Sequence, residues 1–116
     1  MHFFALMLPH LSQRTCNFVA RMMKTIQEIK EMVSRNEGQA AIDAVNELAS
    51  NDSTPRETLA TAYYLRGNAY RKDGDIRMAL NSYLEAMELD PDGPAAEAYR
   101  HLQDLLAYYH KDYYNP

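Results

Sequence analysis

The stretch from Gly67 to Pro91, GNAYRKDGDIRMALNSYLEAMELDP, constrains the fold of this 116-residue chain more than any other. Gly67 sits between tyrosines in a helical pattern, Gly74 follows seven residues on, and Ala79 and Ala86 recur at a fixed interval. Glycine inside a helix costs about 0.5–1 kcal/mol. A helix that keeps one is making room for another helix to approach closely. The chain is therefore read as helices packed on helices.

Helical periodicity runs from Met23 onward, and strand alternation is absent. Ile26, Ile29, Met32 and Val33 share one face of a first helix. Thr25 and Glu28 have capping-box spacing; alternatively the helix continues backward, since Phe18 and Met22 extend the stripe. Asn36 and Gly38 end this helix, asparagine being tolerant of the left-handed conformation a tight turn needs. Ala41, Ile42, Val45 and Leu48 mark a second helix. Thr54-Pro55-Arg56-Glu57 predicts a third, with Thr54 as N-cap, Pro55 at the first helical position and an end near Lys72. Asp73-Gly74-Asp75 makes the next turn, with Asp75 as N-cap. Ile76, Ala79, Leu80, Tyr83, Ala86 and Met87 form a fourth helix. Asp90 to Pro94 stops it, and a fifth runs from about Ala95 to Tyr109. An offset of 38 lays Asn36 on Gly74, Met32 on Tyr70, Ala41 on Ala79, Ile42 on Leu80, Val45 on Tyr83 and Glu47 on Glu85. A repeated helix pair that must stack to bury its face marks a solenoid.

Tyr63, Gly67, Tyr70, Ala79, Tyr83, Ala86 and Pro91 follow one another at fixed spacing, with Gly74-Asp75 at the interhelical turn. In these residues the chain resembles the tetratricopeptide repeat over about Ala60 to Gly93. Arg66 departs from the pattern, standing where leucine is expected, and Leu65 is expected to take over part of its packing. The earlier copy is degenerate, with Ile29 at the glycine place and Leu48 at the second alanine. The resemblance implies an all-α, right-handed superhelix of about five antiparallel helices: a degenerate repeat over about 23–53, a clear one over about 56–93, and a capping helix over about 94–110. Gly67 and Ala79 are then small where paired helices cross, and each tyrosine buries its ring while its hydroxyl stays near the rim.

Residues 1–22 read as an upstream translation extension or a disordered arm. Pro9 and Arg14 interrupt the apolar run, which is far short of the ~20 residues a spanning helix needs, so no stable membrane association is expected. Formal net charge is −4, and an acidic chain repels phosphate backbones, which argues against nucleic acid. A single cysteine, Cys16, fits a reducing, cytoplasmic setting. His101 and His110, nine apart, lack metal-ligand spacing. Asp73/Asp75 and Asp90/Asp92 sit where helix ends need turns and caps. No catalytic constellation, metal or cofactor is expected, and the chain is read as non-enzymatic.

The resemblance implies a concave groove lined by the first helix of each pair. By repeat position its residues are Thr61, Tyr64, Asn68, Arg71 and Lys72, with Ile26, Lys30, Val33 and Ser34 at the earlier places. Asn68 falls where carboxylate-binding members of the family keep an asparagine, and Arg71, Lys72 and Lys30 supply positive charge. The expected partner is another protein or peptide, and the function that of an adaptor or assembly factor. The alternatives are a self-associating homodimer, because two repeats are fewer than usually suffice alone, and an accessory domain riding on a catalytic partner. Tyr108, Tyr109, Tyr113 and Tyr114 crowd the C-terminus, with Tyr109 expected to cap the core.

Overall fold

A computed structural model of the chain describes residues 25–114, with side chains as far as Tyr108. The expectations for the N-terminal segment and Cys16, and for the side chains of Tyr109, His110, Tyr113 and Tyr114, lie outside the described residues. Five helices follow one another: α1 (25–34), α2 (Gly38–Ala49), α3 (Arg56–Lys72), α4 (Ile76–Leu89) and α5 (Pro94–Tyr114). The chain is an all-α helical repeat.

The turns α1–α2 and α3–α4 are built alike. Asn36 has φ 63° and Gly74 φ 86°, the left-handed conformation that lets a helix stop and reverse. The Glu37 N–H donates to the Met32 carbonyl (2.8 Å) and Asn36 to Val33 (3.2 Å). Thirty-eight residues later the Asp75 N–H donates to Tyr70 (2.9 Å) and Gly74 to Arg71 (3.1 Å). The same two bonds close both turns. Capping differs, for the Asp75 carboxylate accepts from the Met78 N–H at 3.2 Å, whereas Glu37 makes no side-chain cap.

Three local expectations need correction. Thr25 is already helical, so it is not the N-cap, and the residues before it lie outside the described ones. The N-cap of α3 is Pro55, one residue beyond the expected Thr54. The Thr54 hydroxyl instead donates backward to the Leu48 carbonyl (2.8 Å), fastening the linker to the end of α2. Finally, α5 starts at Pro94, within the expected range, but continues to Tyr114, past the expected end near 109–110.

Two core clusters are joined through α3. Ile29, Val33, Ala41, Ile42, Val45, Ala62, Leu65 and Ala69 form the first; Ala79, Tyr83, Ala86, Ala95 and Leu102 form the second. Tyr63, Tyr64 and Tyr70 pack half-buried against both. Equivalent positions solve the same crossing differently. Val45 and Tyr83 are both fully buried, but α1 brings Ile29 to its crossing and α3 brings Gly67. A β-carbon on Gly67 would collide with the Tyr83 ring, so the glycine makes room for the larger side chain. Tyr83 corrects the rim expectation: its hydroxyl is buried along with its ring.

Basic residues at the two ends of α3 fasten its neighbours. Arg56 donates to the Leu89 (3.1 Å) and Glu88 (3.2 Å) carbonyls at the end of α4. Lys72 donates to the Val33 carbonyl (3.0 Å) at the end of α1. Cations at helix C-termini satisfy orphan carbonyls and complement the helix dipole.

Candidate partner-binding cleft

Because α3 touches helices on several sides, its residues divide by direction. At about 100° per residue, Tyr64, Asn68 and Arg71 lie about 140–160° round the helix from Arg66. Arg66 points to the outer helices. Its Nη1 donates to Asn46 Oδ1 on α2 (2.8 Å), and its Nε donates to the Ser82 hydroxyl on α4 (2.9 Å). Its Nη2 pairs with Glu85 on α4 at 2.9 Å, and its guanidinium lies 4.6 Å from the Tyr63 ring centre. Leu65 does not replace the missing leucine alone. Arg66 fills that place itself, its side chain only 11% exposed, and bridges three helices.

The opposite side faces α5 across an open cleft of about 300 Å³, lined by Tyr64, Arg71, Pro94, Glu97, Ala98 and His101. A shallow hollow with only about 20 Å³ of room continues it past Tyr64 and Pro94, walled by Ala60, Thr61, Ala86, Asp90, Gly93 and Ala95. Tyr64 lies on the boundary between the two, its ring 6.0 Å from that of Tyr83 and tilted 36°.

Beneath the cleft runs a polar relay. The buried Tyr83 hydroxyl donates to Asn68 Oδ1 at 2.6 Å. Burial pushes the Tyr83 hydroxyl above the usual phenol range, and the Arg71 guanidinium alongside it pulls the other way. Asn68 accepts from Tyr83 through its carbonyl oxygen, and its amide nitrogen carries two N–H donors. Arg71 is exposed. Arg71 lines the cleft and offers guanidinium donors suited to a carbonyl or carboxylate, whereas Asn68 is not among the lining residues.

The remaining expected residues are placed differently. Thr61 lines the hollow, but its hydroxyl donates to the Glu57 carbonyl of its own helix (3.1 Å). The Lys72 ammonium is held by Val33, which corrects its reading as a ligand-facing charge. Lys30 is exposed on α1 and does not line the cleft. Val33 is buried in the first core cluster and Ile26 packs against it, so neither faces a ligand. The Ser34 hydroxyl turns back to the Lys30 carbonyl (3.0 Å). Sequence reading missed the α5 wall. Pro94, Glu97, Ala98 and His101 fall at i, i+3, i+4 and i+7, a single helical stripe. That spacing was a usable signal, obscured by treating the last helix only as a cap.

Among the described residues no group of three or more His, Cys, Asp or Glu is placed to hold a metal ion. Nor is any helix among them long and apolar enough to cross a membrane.

Stacked helix pairs with similar turns and an open cleft between successive inner helices define a helical-repeat protein. The tetratricopeptide-repeat model matches residues 60–92. The solution NMR structure of Bacteroides fragilis protein BF1650 is similar at 41% sequence identity, covering 78% of this chain and 88% of that one, with a TM-score of 0.68. No curated protein matches the chain. The chain belongs to the tetratricopeptide-repeat family. Members of that family act in general as protein–protein interaction modules and are typically non-catalytic.

Proposed function

We propose that the chain is an adaptor or assembly factor that takes a peptide, or an extended segment of a partner protein, in the cleft between α3 and α5. The observation that carries this reading is the division of α3: Arg66 is consumed by bonds to the outer helices, whereas Arg71 stands exposed over the cleft. The working unit is a degenerate helix pair (23–53), a regular pair (56–93) and a closing helix (94–110), in a reducing, cytoplasmic setting. Photo-cross-linking in native lysate tests the site. A cross-linker at His101 is expected to capture a defined partner that one at Arg77, exposed on α4, does not. Equal capture from both positions, or none from His101, counts against the cleft.

A second reading, self-association, draws on Leu105 and Tyr108 of α5, which are 40% and 63% exposed. Light scattering on residues 23–116 decides it. A strict monomer at tens of micromolar removes that reading.

A further inference from the structure

Past His101, α5 carries residues that line neither the cleft nor the hollow. Asp104, Leu105 and Tyr108 are exposed there, and Lys111 and Asp112 follow on the same helix. At about 100° per residue these five, with His101, fall within about 120° of one another round the helix. Ala95 and Leu102, buried in the second core cluster, mark the side of α5 that packs inward. That side lies about 120–140° round from the middle of the stripe. The stripe therefore points away from the core, with Leu105 and Tyr108 at its middle and charged or polar residues at both ends.

Laid antiparallel on itself, this stripe is complementary. On one flank Asp104 falls opposite Lys111 of the second copy, and on the other His101 falls opposite its Asp112. Between the flanks Leu105 falls opposite Tyr108. A two-fold axis makes each of these contacts twice, as a self-complementary patch requires. Parallel copies instead set Asp104 on Asp104 and Lys111 on Lys111, and like charges in register disfavour that pairing. Resting on the self-association reading above, we propose that a second copy of this chain covers the stripe, with the two α5 helices packed antiparallel between Asp104 and Lys111. The apolar pair supplies the contact, and the charges fix direction and register. One helix pair is small beside a standard interface, so the dissociation constant is on the order of ten micromolar.

The test follows the full chain by sedimentation velocity from about 1 to about 100 μM, a range that brackets the expected monomer–dimer exchange. Leu105→Asp and Tyr108→Asp, at exposed positions, are each expected to weaken association at least about tenfold while the helical circular dichroism stays unchanged. Asp104→Lys and Lys111→Asp each set like charge on like, twice in every dimer, and are expected to weaken it several-fold. The double variant Asp104→Lys/Lys111→Asp restores opposite charges and is expected to recover wild-type association, which a folding defect would not allow. A monomer at every concentration overturns both this seam and the self-association reading. A dimer that all the single variants leave intact overturns the seam alone, since the copies then meet elsewhere. Loss in the single variants without recovery in the double variant overturns the antiparallel pairing.

Discussion

Arg66 and Arg71 lie five residues apart on one helix, and they have opposite fates. Arg66 is nearly buried, with three bonds to α2 and α4 and a tyrosine ring beside it. Arg71 is exposed beside a cleft, its guanidinium alongside the Tyr83 hydroxyl. One face of α3 holds the repeat together and the other borders the open cleft. Residue type does not distinguish them; direction around the helix does.

The sharpest way to break this comparison is to truncate Arg66. Arg66→Ala strips the fully buried Ser82 of its donor and frees Asn46 and Glu85, and is expected to cost about 2–4 kcal/mol in denaturant unfolding. Arg66→Leu, which restores the family's usual residue, is expected to recover a good part of that loss, because an apolar side chain refills the space. If Arg66→Ala unfolds like the wild type, the bridge contributes nothing.

Asn68 sharpens the comparison from the other face. Sequence position alone makes it a ligand-gripping residue whose loss leaves stability untouched. Its bond to Tyr83 changes that expectation: Asn68→Ala is expected to cost about 1–3 kcal/mol by leaving a buried hydroxyl short of its acceptor. Combined with Tyr83→Phe, a double-mutant cycle should show coupling, whereas additive losses would mean the bond is not felt.

Tyr83→Phe alone is expected to cost about 0.5–1.5 kcal/mol near neutral pH. Its pH profile carries more information. Burial raises the hydroxyl's pKa in the folded state above its unfolded value near 10. The unfolded chain therefore loses this proton first as pH rises, and the associated stability is full below about pH 10 and declines above it. Tyr83→Phe should fall off less steeply than the wild type in that alkaline range, as read by chemical denaturation; parallel curves would contradict the burial.

Much of the architecture was legible because helix ends and turns are local chemistry. Asn36, Gly74 and Asp75 announce their conformations through side chains that act on their own backbone. Gly67 with Tyr83 was legible because glycine in a helix is costly enough to need a neighbour as its reason. The cleft was legible only by half. Spacing put Tyr64, Asn68 and Arg71 on one face of α3, but spacing names a face and not what stands opposite it. Hence the α5 wall of Glu97 and His101 was missed, Lys72 was read as a ligand contact instead of a clasp on α1, and the Thr54 hydroxyl was assigned to the helix after it instead of the one before. The first pair escaped the motif for a related reason. Ile29 with Val45 fills the crossing that Gly67 with Tyr83 fills in the second, and a pattern built on the glycine does not register the exchange.

The division of labour on α3 is tested most directly by measuring stability and partner capture on the same two variants, Arg66→Gln and Arg71→Gln, each carrying the cross-linker at His101. Arg66→Gln is expected to lower stability by about 1–3 kcal/mol while the folded molecules still capture the partner. Arg71→Gln is expected to stay within about 0.5 kcal/mol of the wild type and to lose capture. The reverse result, a destabilised Arg71→Gln that still captures and a stable Arg66→Gln that does not, would contradict the account and move the partner to the outer face.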